Sequence, residues 1–324
     1  MIEASHLVKK YGEKTALDDV SFRIETGEIV GFLGPNGAGK STTMNLMAGY
    51  RRPTEGSVSI NGADVCENPL EAKKYISYLP ELPPLYLDMT VEEQLAFACE
   101  LRKLPLKGKT LSDYVEGLCA RTSVLDVKSR LIRNLSKGYR QRVAVTQMLV
   151  GEPEILILDE PTVGLDPRQI HEFRDLLVDL NREHTIVISS HILPEISSVC
   201  KRVLVFDEGK LIADGEPARL GEQLTGKKSM EITVAGEPQK VELLLHSIPA
   251  IRSFERQPDD EAGCVSYRLD TDVNSDVRRD LFLVLSRNQM PLLLMKPVEY
   301  SLESLYLQLT AAEGTSDREE EATS

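Results

Sequence analysis

The sequence predicts an α/β domain around a largely parallel sheet, interrupted by an all-helical insertion and followed by a small α+β domain. Three observations carry this. Compact apolar runs, "EIVGFL" (28–33), "EILILDE" (154–160) and "TIVISSH" (185–191), are each followed by loop residues and a helical pattern. Apolar strands alternating with helices form parallel sheets covered on both faces. From about residue 90 to 150 apolar residues recur at three-to-four spacing, the period of amphipathic helices. After about residue 215 strand and helix patterns restart on a smaller scale, and 324 residues are enough for a second core.

Taken in order, "GSVSINGADV" (56–65) reads as a hairpin piece beside the sheet. "SYLPELPPLY" (77–86) is stiff, because Pro80, Pro83 and Pro84 fix the backbone and remove donors; it belongs to neither a helix nor a central strand, and it carries a single acid, Glu81. "VEEQLAFACELRKL" (91–104) and "GYRQRVAVTQMLV" (138–150) are the insertion's helices, and "RVLVFDEGKLIADG" (202–215) is a second hairpin piece. A break falls near "GEQLTGKKS" (221–229). Beyond it "MEITVA", "IRSFERQ", "CVSYRLDT" and "PLLLMKPV" read as strands, with "PQKVELLLHSI" and "DVRRDLFLVLSRN" as helices. That β-α-β-β-α-β order suggests a ferredoxin-like sandwich closed by a helix "SLESLYLQL" (301–309). The expected extents are 1–220 for the first domain, 228–310 for the second, and a disordered acidic tail over 311–324 that ends in "EGTSDREEEATS".

Composition narrows function. With 41% hydrophobic and 27% charged residues the chain has a soluble globular make-up. No run approaches the roughly 20 apolar residues that cross a bilayer, and "MIEASHLVKKYGEK" lacks a signal-peptide core. A cytoplasmic protein is expected, reaching a membrane only through a partner. A net charge of −13 argues against a broad nucleic-acid-binding face. Cys66, Cys99, Cys119, Cys200 and Cys264 are scattered, with no CxxC pair, so reduced thiols are expected rather than a disulfide framework or cysteine metal site.

The chemistry is concentrated in a few motifs. "GPNGAGKST" fits G-x-x-x-x-G-K-[ST] and lies between the strand "EIVGFL" and a helix through "STTMNLMAG". Gly34, Gly37 and Gly39 let the backbone turn so that successive N–H groups face inward around phosphate oxygens, which makes Pro35, Asn36, Ala38 and Thr42 nucleotide-binding candidates with them. Lys40 can reach the β- and γ-phosphates, and Ser41 is placed to ligate Mg²⁺. "ILILDEPT" supplies an acid-ended strand: Asp159 can hold Mg²⁺, and Glu160 can polarise an attacking water as general base.

With "LSKGYRQR" at 135–142, just ahead of that strand, the chain resembles the ABC ATPases over about residues 2–215. The resemblance implies that Ser136 and the backbone at Gly138 bind the γ-phosphate of ATP held by a second copy. It also implies that Tyr11 lies against adenine, that Asp166 in "VGLDPRQ" sits near the dimer seam, and that His191 in "SSHIL" contacts the γ-phosphate and orients Glu160. Ser136 independently suits an anion, since it starts a helix. Three positions depart from the family's pattern: Lys137 replaces the usual glycine, Tyr139 a glutamine, and Glu81 the glutamine that ligates Mg²⁺.

The single cassette lacks long heptad insertions, zinc cysteines and a membrane span, and so resembles the separate ATPase subunit of a bacterial transporter; "LSKGYRQR", "DEPTVGLDP" and "YLPE" together resemble the exporter branch that handles drugs, polysaccharides and gliding-related cargo. That implies ATP and Mg²⁺ as ligands, a homodimer, an integral-membrane permease as partner, and a place on the cytoplasmic side of the plasma membrane. The alternative left open is a non-transport ATPase that regulates a soluble partner.

Overall fold

The structure is a computed structural model and describes residues 1–298 apart from 107, 109, 218, 221–225, 259–262 and 274. The chain divides into two units, Met1–Gly215 and Glu216–Ser324. The expected closing helix at 301–309, the acidic tail and most of the break at 221–229 lie outside the described residues.

In the first unit β1 (Ile2–Tyr11) and β2 (Lys14–Ile24) form a long antiparallel hairpin that no sequence motif announced. With β4 (Glu55–Ile60) and β5 (Ala63–Asp64) they make one antiparallel sheet, ordered β2-β1-β4-β5. The larger sheet is built from β3 (Ile29–Leu33), β6 (Ile76–Leu79), β7 (Ile155–Leu158), β8 (Thr185–Ser190), β9 (Arg202–Asp207) and β10 (Lys210–Gly215). Its order is β10-β9-β3-β8-β7-β6, all parallel except the edge strand β10. Every residue of β3, β7 and β8 is buried, as strands covered on both faces require.

The two sheets share one core, with α1 (Lys40–Met47) packed into it through Met44, Leu46 and Met47. At its centre the Phe32 ring lies 5.5 Å from Phe22 and 4.9 Å from Phe206. Each such buried side chain contributes about 1.5–3 kcal/mol, so the P-loop strand is anchored on both sides. Helix α2 (Pro69–Tyr75) leads into β6, α6 (Pro167–Leu180) connects β7 to β8, and α7 (Leu193–Ser197) connects β8 to β9.

The insertion comprises α3 (Val91–Leu101), α4 (Leu111–Arg121) and α5 (Lys137–Met148), with 3₁₀ turns at Leu125–Val127 and Ile132–Asn134. Helices α3 and α4 both start with reciprocal capping boxes, Thr90 with Glu93 and Thr110 with Asp113.

The second unit runs β11 (Lys227–Ala235), α8 (Pro238–His246), β12 (Ile251–Gln257), β13 (Cys264–Asp272), α9 (Arg278–Arg287) and β14 (Leu292–Val298). Its antiparallel sheet has the order β12-β13-β11-β14. The two helices cover it through Val241, Leu245, Leu281 and Leu285, which pack with Ile232, Val234 and Tyr267.

Candidate functional site

The turn from β3 into α1 requires glycine at two points. A Cβ at Gly34 would run into the Phe206 carbonyl, and Gly39 has φ 103°, a conformation that side chains resist. No side chain caps α1, so its first N–H groups remain available to an anion. Lys40 is 4% exposed. Its Nζ donates to the carbonyls of Gly34 (2.7 Å) and Pro35 (2.9 Å) and lies 3.5 Å from Glu160 Oε1. Burial lowers the Lys40 pKa below the usual lysine value, against the opposing pull of Glu160 and Asp159.

Parallel pairing of β6, β7 and β8 brings three strand ends together. Asp159 N donates to the Leu79 carbonyl at 2.9 Å. Asp159 Oδ1 accepts from Ser41 Oγ at 3.0 Å and Ser189 Oγ at 2.7 Å, while Oδ2 accepts from the Tyr78 hydroxyl at 3.2 Å. The next residue, Glu160, has φ 47°, a left-handed conformation that costs a non-glycine residue about 1–2 kcal/mol. Its N–H donates to Ser189 Oγ at 2.8 Å, so one hydroxyl serves both acids. The Glu160 carboxylate meets His191 Nδ1 through Oε2 at 2.9 Å, while its buried Oε1 has no hydrogen-bond partner and faces the Lys40 charge.

Beside the buried Asp159 lies a cleft of about 410 Å³, lined by the P-loop around Lys40, Ser41 and Thr42 and by Glu81, Glu160 and His191. The structure therefore brings together Lys40, Ser41, Asp159, Glu160, His191 and Glu81. The loop carrying Glu81 is tied to the insertion. Ile132 N donates to the Met89 carbonyl (2.9 Å), Arg133 N to the Leu87 carbonyl (3.0 Å), and Arg133 Nη1 pairs with Asp88 (2.8 Å). Ser136 follows that segment closely.

Tyr11, Ser136, Gly138 and Asp166 do not line this cleft. Tyr11 is 46% exposed, with Lys9 Nζ 5.1 Å from the centre of its ring. Ser136 is the N-cap of α5, its hydroxyl accepting from Tyr139 N at 3.4 Å. Asp166 is the N-cap of α6 and accepts from Gln169 N at 2.9 Å; the Gln169 side chain lies where a Cβ at Gly138 would come within 2.9 Å of it. The N-termini of α5 and α6 thus form a second group, with Ser136, Lys137 and Asp166 exposed.

Among the described residues no cluster of three or more His, Cys, Asp or Glu side chains could hold a metal unaided. The oxygens available are the Ser41 hydroxyl, the Asp159 and Glu81 carboxylates and the unpartnered Glu160 Oε1. Such a sparse, hard donor set fits Mg²⁺, which keeps several waters and takes phosphate oxygens as ligands. Sequence reasoning missed Tyr78 and Ser189. Their one available signal was position, at the ends of strands flanking the acid-ended one.

A model of the ABC transporter family matches residues 17–163. The linearmycin resistance ATP-binding protein LnrL of Bacillus subtilis (strain 168) is 30% identical over 318 residues, covering 96% of this chain and 98% of that protein. The lipopolysaccharide export system ATP-binding protein LptB of Haemophilus influenzae is 32% identical over 244 residues, 74% of this chain and 99% of LptB. Among solved structures, the ATP-binding cassette MJ0796 in a dimeric post-hydrolysis state, bound to ADP and Pi, matches with a TM-score of 0.60. It is 25% identical and covers 67% of this chain and 98% of that one.

Proposed function

The chain belongs to the ABC transporter family as an ATP-binding, ATP-hydrolysing subunit, and from that premise we propose that two copies close around two ATP–Mg²⁺ to drive export through a separate membrane permease. The observation that carries the two-copy reading is the separation within one chain of the P-loop cleft from Ser136, Gly138 and Asp166. Each copy offers an open phosphate cradle and, elsewhere, a helix start with exposed Ser136. Head-to-tail closure puts one on the other.

Lys40 and the P-loop N–H groups bind the phosphates, and Tyr11 stacks on adenine. Glu160, desolvated and steered by His191, takes the proton of the attacking water, whose oxygen bonds the γ-phosphorus as ADP departs. Held by Ser41, Asp159 and Glu81, Mg²⁺ would neutralise charge on the phosphates. Asp166 keeps the seam in register.

For the partner, a groove of about 810 Å³ between the parallel sheet and the insertion suits a helix of the permease. Leu70, Leu85, Leu101 and Tyr50 line it, together with Arg102, Lys73 and Lys74. The stiff loop from Pro80 to Thr90 borders it and leads to Glu81, so a push there reaches the metal side of the cleft. No described helix is long and apolar enough to cross a membrane, which agrees with a peripheral place on the cytoplasmic face. LnrL and LptB are named for resistance and export, which supports the outward direction. The second unit reads as a ferredoxin-like domain that regulates or stabilises the pair.

Affinity purification of the tagged chain from detergent-solubilised membranes of its own host tests this. A co-purifying polytopic membrane protein that alters the ATPase rate is expected. Recovery of a soluble partner alone would favour the regulatory alternative.

A further inference from the structure

Tyr78 touches two places that the reaction uses separately. Its hydroxyl donates to Asp159 Oδ2 at 3.2 Å. Its ring, 5.4 Å from that of Tyr50, lies in the wall of the 810 Å³ groove. The other Asp159 oxygen is shared by Ser41 and Ser189, and Ser41 can keep donating to it while its oxygen lone pairs serve a metal. Asp159 is thus held by Ser41 and Ser189 on one oxygen and by Tyr78 on the other. Two such bonds on opposite oxygens stop the carboxylate rotating about Cβ–Cγ without breaking one of them.

We propose that Tyr78 is a positioning residue, whose hydroxyl fixes the Asp159 carboxylate in the orientation that receives Mg²⁺ while its ring remains part of the permease groove. This rests on Asp159 being a metal-holding group.

The test is Tyr78→Phe in the full chain, which keeps the ring and removes only the hydroxyl. Mn²⁺ binding in the presence of ATP is measured by electron paramagnetic resonance in a Glu160→Gln background, so that nothing turns over. The Mg²⁺ concentration for half-maximal hydrolysis is measured in the otherwise unaltered chain. Both should worsen by about five- to tenfold, the scale of one typical lost hydrogen bond, with the melting temperature of the ligand-free protein unchanged. Unaltered Mn²⁺ affinity overturns the proposal. Weaker affinity accompanied by a lowered melting temperature also overturns it, because the effect then belongs to packing. Asp159→Asn separates the two layers. If it leaves Mn²⁺ binding intact, Asp159 does not hold the metal and the parent reading fails. If it weakens binding and Tyr78→Phe does not, only the positioning role falls.

Discussion

Lys40 and Ser136 both stand at the start of a helix, and their surroundings are opposite in kind. Around Lys40 the chain gathers its own counter-charges, Glu160 at 3.5 Å and Asp159 beside it, and His191 meets Glu160 at 2.9 Å. Around Ser136 the side chain meets only a local N–H, at 3.4 Å, and Lys137 beside it is exposed. The first half holds its charges in place before substrate arrives, which is how electrostatic stabilisation avoids reorganisation. The second is an exposed helix start capped by its own serine. On the proposed two-copy reading, the fold completes the chemical half of a site and leaves the closing half to another copy.

The sharpest way to break this comparison is to disable each half separately. Lys40→Ala and Ser136→Arg homodimers should each lose at least about a hundredfold in ATPase rate, the scale of one lost transition-state charge contact. Mixing the two chains should restore activity, since one composite site in the heterodimer is intact. A mixture that stays at background despite demonstrated heterodimers would refute independent shared sites.

Glu160→Gln tests the chemical half alone. Hydrolysis should fall by about 10²–10⁴-fold, the usual worth of a general base, while ATP still binds. The closed pair should accumulate with ATP and elute earlier in size-exclusion chromatography. Near-normal turnover would remove Glu160 from the mechanism.

Glu81 lies on the rim of the cleft, at the end of the loop tied to the segment before Ser136. Glu81→Gln keeps the oxygen and should retain substantial ATPase activity. Glu81→Ala should need several-fold more Mg²⁺, about what one of a few oxygen ligands supplies. ATPase rate against Mg²⁺ concentration decides it, and an Ala variant that titrates like the parent returns Glu81 to solvent.

The smallest effect is expected outside the cassette. Ending the chain after Gly226 removes the second unit's separate core, and ATP affinity should stay within about twofold, as for domains with independent cores. Loss of affinity in a still-folded truncation would show that the second unit supports the nucleotide site.

The sequence by itself determined whatever depends on neighbours along the chain. The P-loop is legible because its strand, turn and helix are contiguous and because glycine, lysine and serine each have a local job. The Ser136 cap and the stiff Pro80–Pro84 segment are legible for the same reason. Residues separated by long stretches were left to the tertiary structure. Ser41 reaches Asp159 across 118 positions, and Tyr78 reaches it across 81. Those contacts follow from the order β3-β8-β7-β6, and a strand buried on both faces shows the same apolar run whichever strand lies beside it. The left-handed turn at Glu160 is likewise silent in sequence, since nothing in "LDEPT" requires it. It persists because Ser189 holds the Glu160 N–H, and Lys40 and His191 flank its carboxylate, only once the sheet has formed.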